Sequence, residues 1–64
     1  MLKLKDVKVG SVIMDTSGIY EITDIDTRTN PPYTVREVID GETETYGEEF
    51  PMTMLDVWMM DLIG

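Results

Sequence analysis

Short β-prone runs alternate with polar, Gly- and Pro-bearing breaks along this chain, and that pattern predicts strands over most of its length. Ser11–Asp15 is one such run. Asp15–Gly18 reads as a tight turn, and Ile19–Asp26 as the second arm of the same hairpin. Within that arm Ile19, Ile22 and Ile25 stand three apart, a spacing compatible with a helix, yet Ile, Thr and Tyr favour strands. Strict alternation places Tyr20 and Ile22 on one face and Ile19, Thr23 and Ile25 on the other. Apolar groups on both faces predict a strand that curls round a small barrel or carries a bulge.

Thr27–Pro32 is a loop, because two successive prolines do not fit a central strand and the residue before a proline is kept out of the helical region. Tyr33–Ile39 is the clearest strand, with Tyr33, Val35 and Glu37 on one face and Thr34, Arg36 and Val38 on the other. Asp40-Gly41 is the strongest hairpin signal in the chain, and Glu42–Tyr46 is its expected second arm. Glu42, Glu44 and Tyr46 would share one side of that arm, an acidic face suited to an exposed or edge strand, with Glu48 and Glu49 in its exit loop.

In the apolar segment 53–63, Thr53 offers a helix N-cap, with Asp56 in the place of the usual capping-box Glu. Met54, Leu55, Trp58, Met59, Leu62 and Ile63 then follow helical spacing along one stripe. The segment predicts a short C-terminal helix, with a fifth strand as the alternative. At the other end, Leu2, Leu4, Val7 and Val9 break phase between 4 and 7, which predicts an extended start and a turn near Asp6–Gly10.

Sixty-four residues make one small domain, 1–64. A chain this short buries roughly 60% of the surface it exposes when unfolded, so its stability is marginal. It contains no Cys and no His, which removes disulfides and leaves a zinc site only carboxylates to use. An apolar fraction of 42% argues for a folded chain. The apolar runs are far shorter than the roughly 20 residues of a membrane helix, and no signal-peptide pattern opens the sequence. A cytoplasmic protein with no membrane contact is the expectation.

Charge sharpens this outline. Up to Arg36 the acids and bases cancel; from Glu37 onward there are acids and no base, so the whole net charge of −8 lies in the second part. That balance opposes direct binding to nucleic-acid phosphates and permits binding to basic protein surfaces.

The candidate chemistry is thin. Ser11 and Ser17 lack a base that could activate them, and no His or Cys is present, so no enzyme is expected. The pairs Glu42/Glu44 and Glu48/Glu49 could in principle do acid–base work, but a solvated acidic face is the simpler reading. Asp24, Asp26 and Asn30 resemble the start of a calcium loop that lacks its turn Gly and its terminal Glu. No metal or cofactor is expected. The acids could also imitate nucleic acid, although the balanced first half would interrupt the field.

The Met- and Trp-rich ending has two readings. In the simpler one, Leu55, Trp58 and Leu62 turn inward as core. In the other, part of the stripe stays exposed, so that Met52, Met54, Trp58, Met59 and Met60 form a deformable contact for a protein partner or a second copy, with Trp58 at its centre.

Val9–Ile13, Ser17–Asp24, Pro32–Arg36 and Asp40-Gly41 together resemble the small Src-homology-3-like barrels common among short bacteriophage and prophage proteins. The likeness spans residues 7 to 46. It implies a five-stranded curled sheet used for protein contacts, in host cytoplasm if phage-encoded, and it transfers no functional residue. The fold class expected is therefore mainly β, a small Src-homology-3-like barrel or curled antiparallel sheet of about five strands with a short C-terminal helix. The expected function is a non-enzymatic protein-interaction module. Its contacts are expected from Met54, Trp58, Met59 and Met60, helped by steering from Glu42, Glu44, Glu48 and Glu49. An acidic nucleic-acid mimic is the alternative.

Overall fold

The computed structural model describes residues 2–64. Its strands are β1 (Val12–Asp15), β2 (Gly18–Ile25), β3 (Tyr33–Asp40), β4 (Thr45–Met52) and β5 (Asp61–Leu62), with one short helix, α1 (Met54–Trp58), between β4 and β5. They form one antiparallel sheet in the order β4-β3-β2-β1-β5. The sheet is open, with β4 and β5 as its edges, so of the two forms expected the closed barrel is not the one adopted.

The first hairpin forms where its turn residues put it. Asp15 pairs with Gly18, and the carboxylate of Asp15 accepts from the Ser17 amide at 2.7 Å. Upstream, the Ser11 amide bonds back to Lys8 across a turn in which Gly10 has a φ of 96°, a left-handed position that glycine occupies at little cost. A single 3-10 turn, Leu4–Asp6, precedes it.

The threefold spacing of isoleucines in β2 is resolved by a bulge. Ile22 pairs with Val35 and Asp24 with Thr34, so Thr23 is the extra residue, and its hydroxyl donates to the Thr34 carbonyl at 3.2 Å. The bulge restores phase: Ile22 faces inward at 1% exposure, and Ile25 also packs against the core, although the two are an odd number of residues apart.

The second hairpin differs from its expected form. Residues 41–44 form a four-residue turn closed by the Asp40–Thr45 pair, and β4 begins only at Thr45. Asp40 accepts from the Glu42 amide at 3.0 Å, and the left-handed residue is Glu44 (φ 54°), not Gly41. Glu42 and Glu44 therefore lie in the turn, and Glu48 and Glu49 lie inside β4 and not in an exit loop.

One face of the sheet carries the core. Ile13, Ile22, Tyr33, Val35 and Met52 from the strands meet Leu2 and Val7 from the N-terminal segment and Val57 and Met60 from the C-terminal one. Ile13, Val35 and Val57 are completely buried. The opposite face is bound by Arg36, which forms an ion pair with Glu21 of 2.7 Å through Nε and lies 3.7 Å above the Tyr46 ring.

The C-terminal segment combines both forms expected of it. Thr53 caps α1, accepting at Oγ1 from the Asp56 amide at 3.2 Å. The helix stops after five residues, and the chain turns to lay β5 beside β1. The Ile63 amide continues that ladder by donating to the Val12 carbonyl at 2.8 Å.

Candidate protein-interaction surface

Since α1 is so short, the stripe read along residues 54–63 does not persist, and the inside and outside of the segment are set residue by residue. Val57 points into the core. Met54, Leu55, Trp58 and Met59 remain exposed, at 53%, 60%, 41% and 61% respectively. Leu55, Trp58 and Leu62 are thus not the inward plug of the simpler reading; Val57 and Met60 take that place.

Met60 corrects the expected contact set. Its amide bonds to the Val57 carbonyl as the chain leaves α1, the turn swings the side chain inward, and 5% of it is exposed. Met52, the last residue of β4, faces inward opposite Tyr33 and is likewise buried. Neither can contact a partner without opening the core.

Met54, Leu55 and Trp58 line one apolar groove of about 410 Å³, and Leu4 from the 3-10 turn closes its far wall. Leu4 was missing from the contact set read from sequence. The signal was the break of phase between Leu4 and Val7: Val7 turns into the core while Leu4 stays half-buried at the groove. A second depression of about 370 Å³, lined by Leu2, Lys3, Asp6, Asp61 and Leu62, is mixed in character.

The acids form a separate region. Glu42, Glu44, Glu48 and Glu49 are all exposed. Thr45 and Met52 bound an eight-residue strand, and at ~3.3 Å per residue the turn carrying Glu42 and Glu44 lies about 23 Å along it from the helix end. Glu49 is in register with Arg36, so a base interrupts the negative surface on that face.

Other candidate groups have structural partners. Asp26 accepts from the Arg28 amide and Nε through Oδ1, both at 3.0 Å, and from the second guanidinium nitrogen through Oδ2 at 3.2 Å, so both its oxygens are engaged. Among the described residues no group of three or more carboxylates is placed to hold a metal ion. Ser17 does have a carboxylate neighbour that the sequence reading overlooked: its hydroxyl donates to Asp15 and is 2.9 Å from the Tyr20 hydroxyl. The bonds from Ser17 hold the Asp15 carboxyl below its usual value, which makes it a weaker base. The arrangement is that of a turn, not of an activated nucleophile. No described helix is long and apolar enough to cross a membrane.

Comparison with family models, with curated proteins and with solved structures gives no match to this chain.

Proposed function

We propose that this chain is a non-enzymatic protein-interaction module, of the Src-homology-3-like kind found among short phage and prophage proteins, and that it binds through the groove of Leu4, Met54, Leu55 and Trp58. The observation that carries this reading is the exposure of three large apolar side chains of one five-residue helix around a single cavity. Aromatic and Met side chains in such a setting supply large, adaptable contact area. The strand order supports the kinship, with four strands in a meander and the fifth returned to the first. An acidic nucleic-acid mimic draws less support, because Arg36 stands among the acids of β4 and β2.

The test is a comparison of the wild type and Leu55→Lys as baits in extract of the source cell. Leu55 is exposed, so the variant is expected to keep its fold by circular dichroism while losing a partner that Glu42→Lys retains. An identical set of co-purifying proteins for wild type and Leu55→Lys would sink the reading.

A further inference from the structure

We propose that Asp40 is a site of spontaneous isomerisation: in the folded protein its side chain closes onto the Gly41 amide, and the ring reopens to leave isoaspartate in the β3–β4 turn. The Gly41 nitrogen forms a bond to the side-chain carboxyl carbon of Asp40. Its proton and the hydroxyl of the protonated carboxyl leave as water. Water then opens the cyclic imide. Attack at the side-chain carbonyl restores Asp40, and attack at the main-chain carbonyl routes the backbone through the side chain. Starting material and product have the same composition, and solvent water is all the reaction uses.

Of the seven aspartates in the chain, Asp40 alone precedes a glycine; the others precede Val7, Thr16, Ile25, Thr27, Val57 and Leu62. A side chain on the following residue crowds the attacking nitrogen, most of all a β-branched one. Glycine leaves that nitrogen open and lets the backbone reach the ring geometry. Asp15, Asp26 and Asp40 all accept from the amide two residues on, so they form an internal comparison. Asp15 is held further by the Ser17 hydroxyl, and Asp26 at both oxygens by the Arg28 guanidinium. Among the described residues no side chain adds a bond of this kind to Asp40.

The fold leaves the site free to react. Residues 39–45 are all exposed. Ring closure requires Asp40 to leave its strand conformation, so the turn has to open locally. That opening costs little here, because Asp40–Thr45 is the last pair of its ladder, next to a register shift, and the left-handed Glu44 relaxes when the turn opens. Gly41 is not the residue that supplies the positive φ, and a Cβ added to it would meet Val38 Cγ1 only at 3.9 Å, an ordinary contact. The turn therefore tolerates a side chain at 41. Isoaspartate adds a methylene to the main chain at the end of β3. It removes the acceptor of the Glu42 amide and displaces the closing pair with Thr45.

The test is to hold the folded protein at neutral pH for several weeks and sample it. Each sample is treated with an isoaspartate-specific carboxyl methyltransferase and labelled S-adenosylmethionine, and the sites are mapped by digestion and mass spectrometry. Label is expected to accumulate at Asp40 several-fold faster than at any other aspartate. Gly41→Ala should slow it several-fold while leaving the circular dichroism spectrum unchanged. The same chain unfolded in urea sets the reference, and the folded protein should react within about ten-fold of it, as an opening of little cost implies. Label at Asp40 no higher than at the other aspartates, or label that appears in the unfolded chain alone, overturns the inference. So does a Gly41→Ala protein that isomerises as fast as the wild type.

Discussion

Asp15, Asp26 and Asp40 each open a turn in the same way, accepting a hydrogen bond from the amide two residues on: Ser17 at 2.7 Å, Arg28 at 3.0 Å and Glu42 at 3.0 Å. At Asp15 the added bond from the Ser17 hydroxyl is the largest cause of a lowered pKa, and at Asp26 it is the bond from the Arg28 side chain. Both carboxyls are pulled below 3.8. The unfolded chain therefore binds these protons first as pH drops. The two groups stabilise the fold fully above the unfolded value, and this contribution is lost as pH falls through their lower folded values. Carboxyl resonances followed by NMR should show both groups titrating below 3.8. Ser17→Ala should return Asp15 toward that value and leave Asp26 where it is. An Asp15 midpoint unmoved by Ser17→Ala would mean that the turn bonds do not set its acidity.

At the level of elements, the Gly41–Glu44 turn holds the main backbone misfit of the described chain. Among the described residues Glu44 is the one non-glycine residue at positive φ, a position that costs ordinary side chains of order 1 kcal/mol and that Asn tolerates better. Glu44→Asn should stabilise the protein by about 0.5–1 kcal/mol, read as a shift of the urea midpoint with an unchanged slope. No shift, or a loss, would show that the turn relaxes around Glu44 in solution. At this turn the sequence pattern and the structure part. Ser11–Asp15, the Asp15–Gly18 turn and Tyr33–Ile39 were legible because turn residues and alternation agree there, and the β2 bulge was among the forms anticipated. Asp40-Gly41 misled because the dipeptide favours a two-residue turn only when Gly supplies the positive φ; here the Asp40 carboxylate draws the Glu42 amide into a longer loop, and β4 starts three residues late. The stripe in 53–63 misled because periodicity presumes a helix long enough to repeat, and α1 ends before its second turn. That is why Met60 lies on the core side, while Leu4, whose only signal is the break of phase before Val7, joins the groove from the opposite terminus.

The whole molecule has to manage two open edges and an unbalanced charge. The β5 edge is only two residues long, and β4 is interrupted around Gly47 and Glu48, where its register with β3 shifts, and again by Pro51, which lacks an amide hydrogen. These features blunt both edges against strand addition. Charge acts over the whole body. The described residues hold two ion pairs, Arg28–Asp26 and Arg36–Glu21, and the first is largely solvated, with the Arg28 side chain 88% exposed. Against them stands a net charge of −8 within a body of 33 × 22 × 18 Å, so many like charges lie within one or two Debye lengths of each other. Repulsion among them outweighs two partly exposed pairs, each worth about 0–1 kcal/mol. Salt should then stabilise the monomer: its melting temperature should rise between 10 mM and roughly 300 mM NaCl, over the range in which the Debye length shrinks from about 30 Å toward 6 Å. The measurement belongs at low protein concentration, so that screening within the fold is not confused with screening between molecules. A fall in melting temperature over that range would place the Arg36–Glu21 pair, with its stacking on Tyr46, above the collective repulsion as the dominant electrostatic contribution.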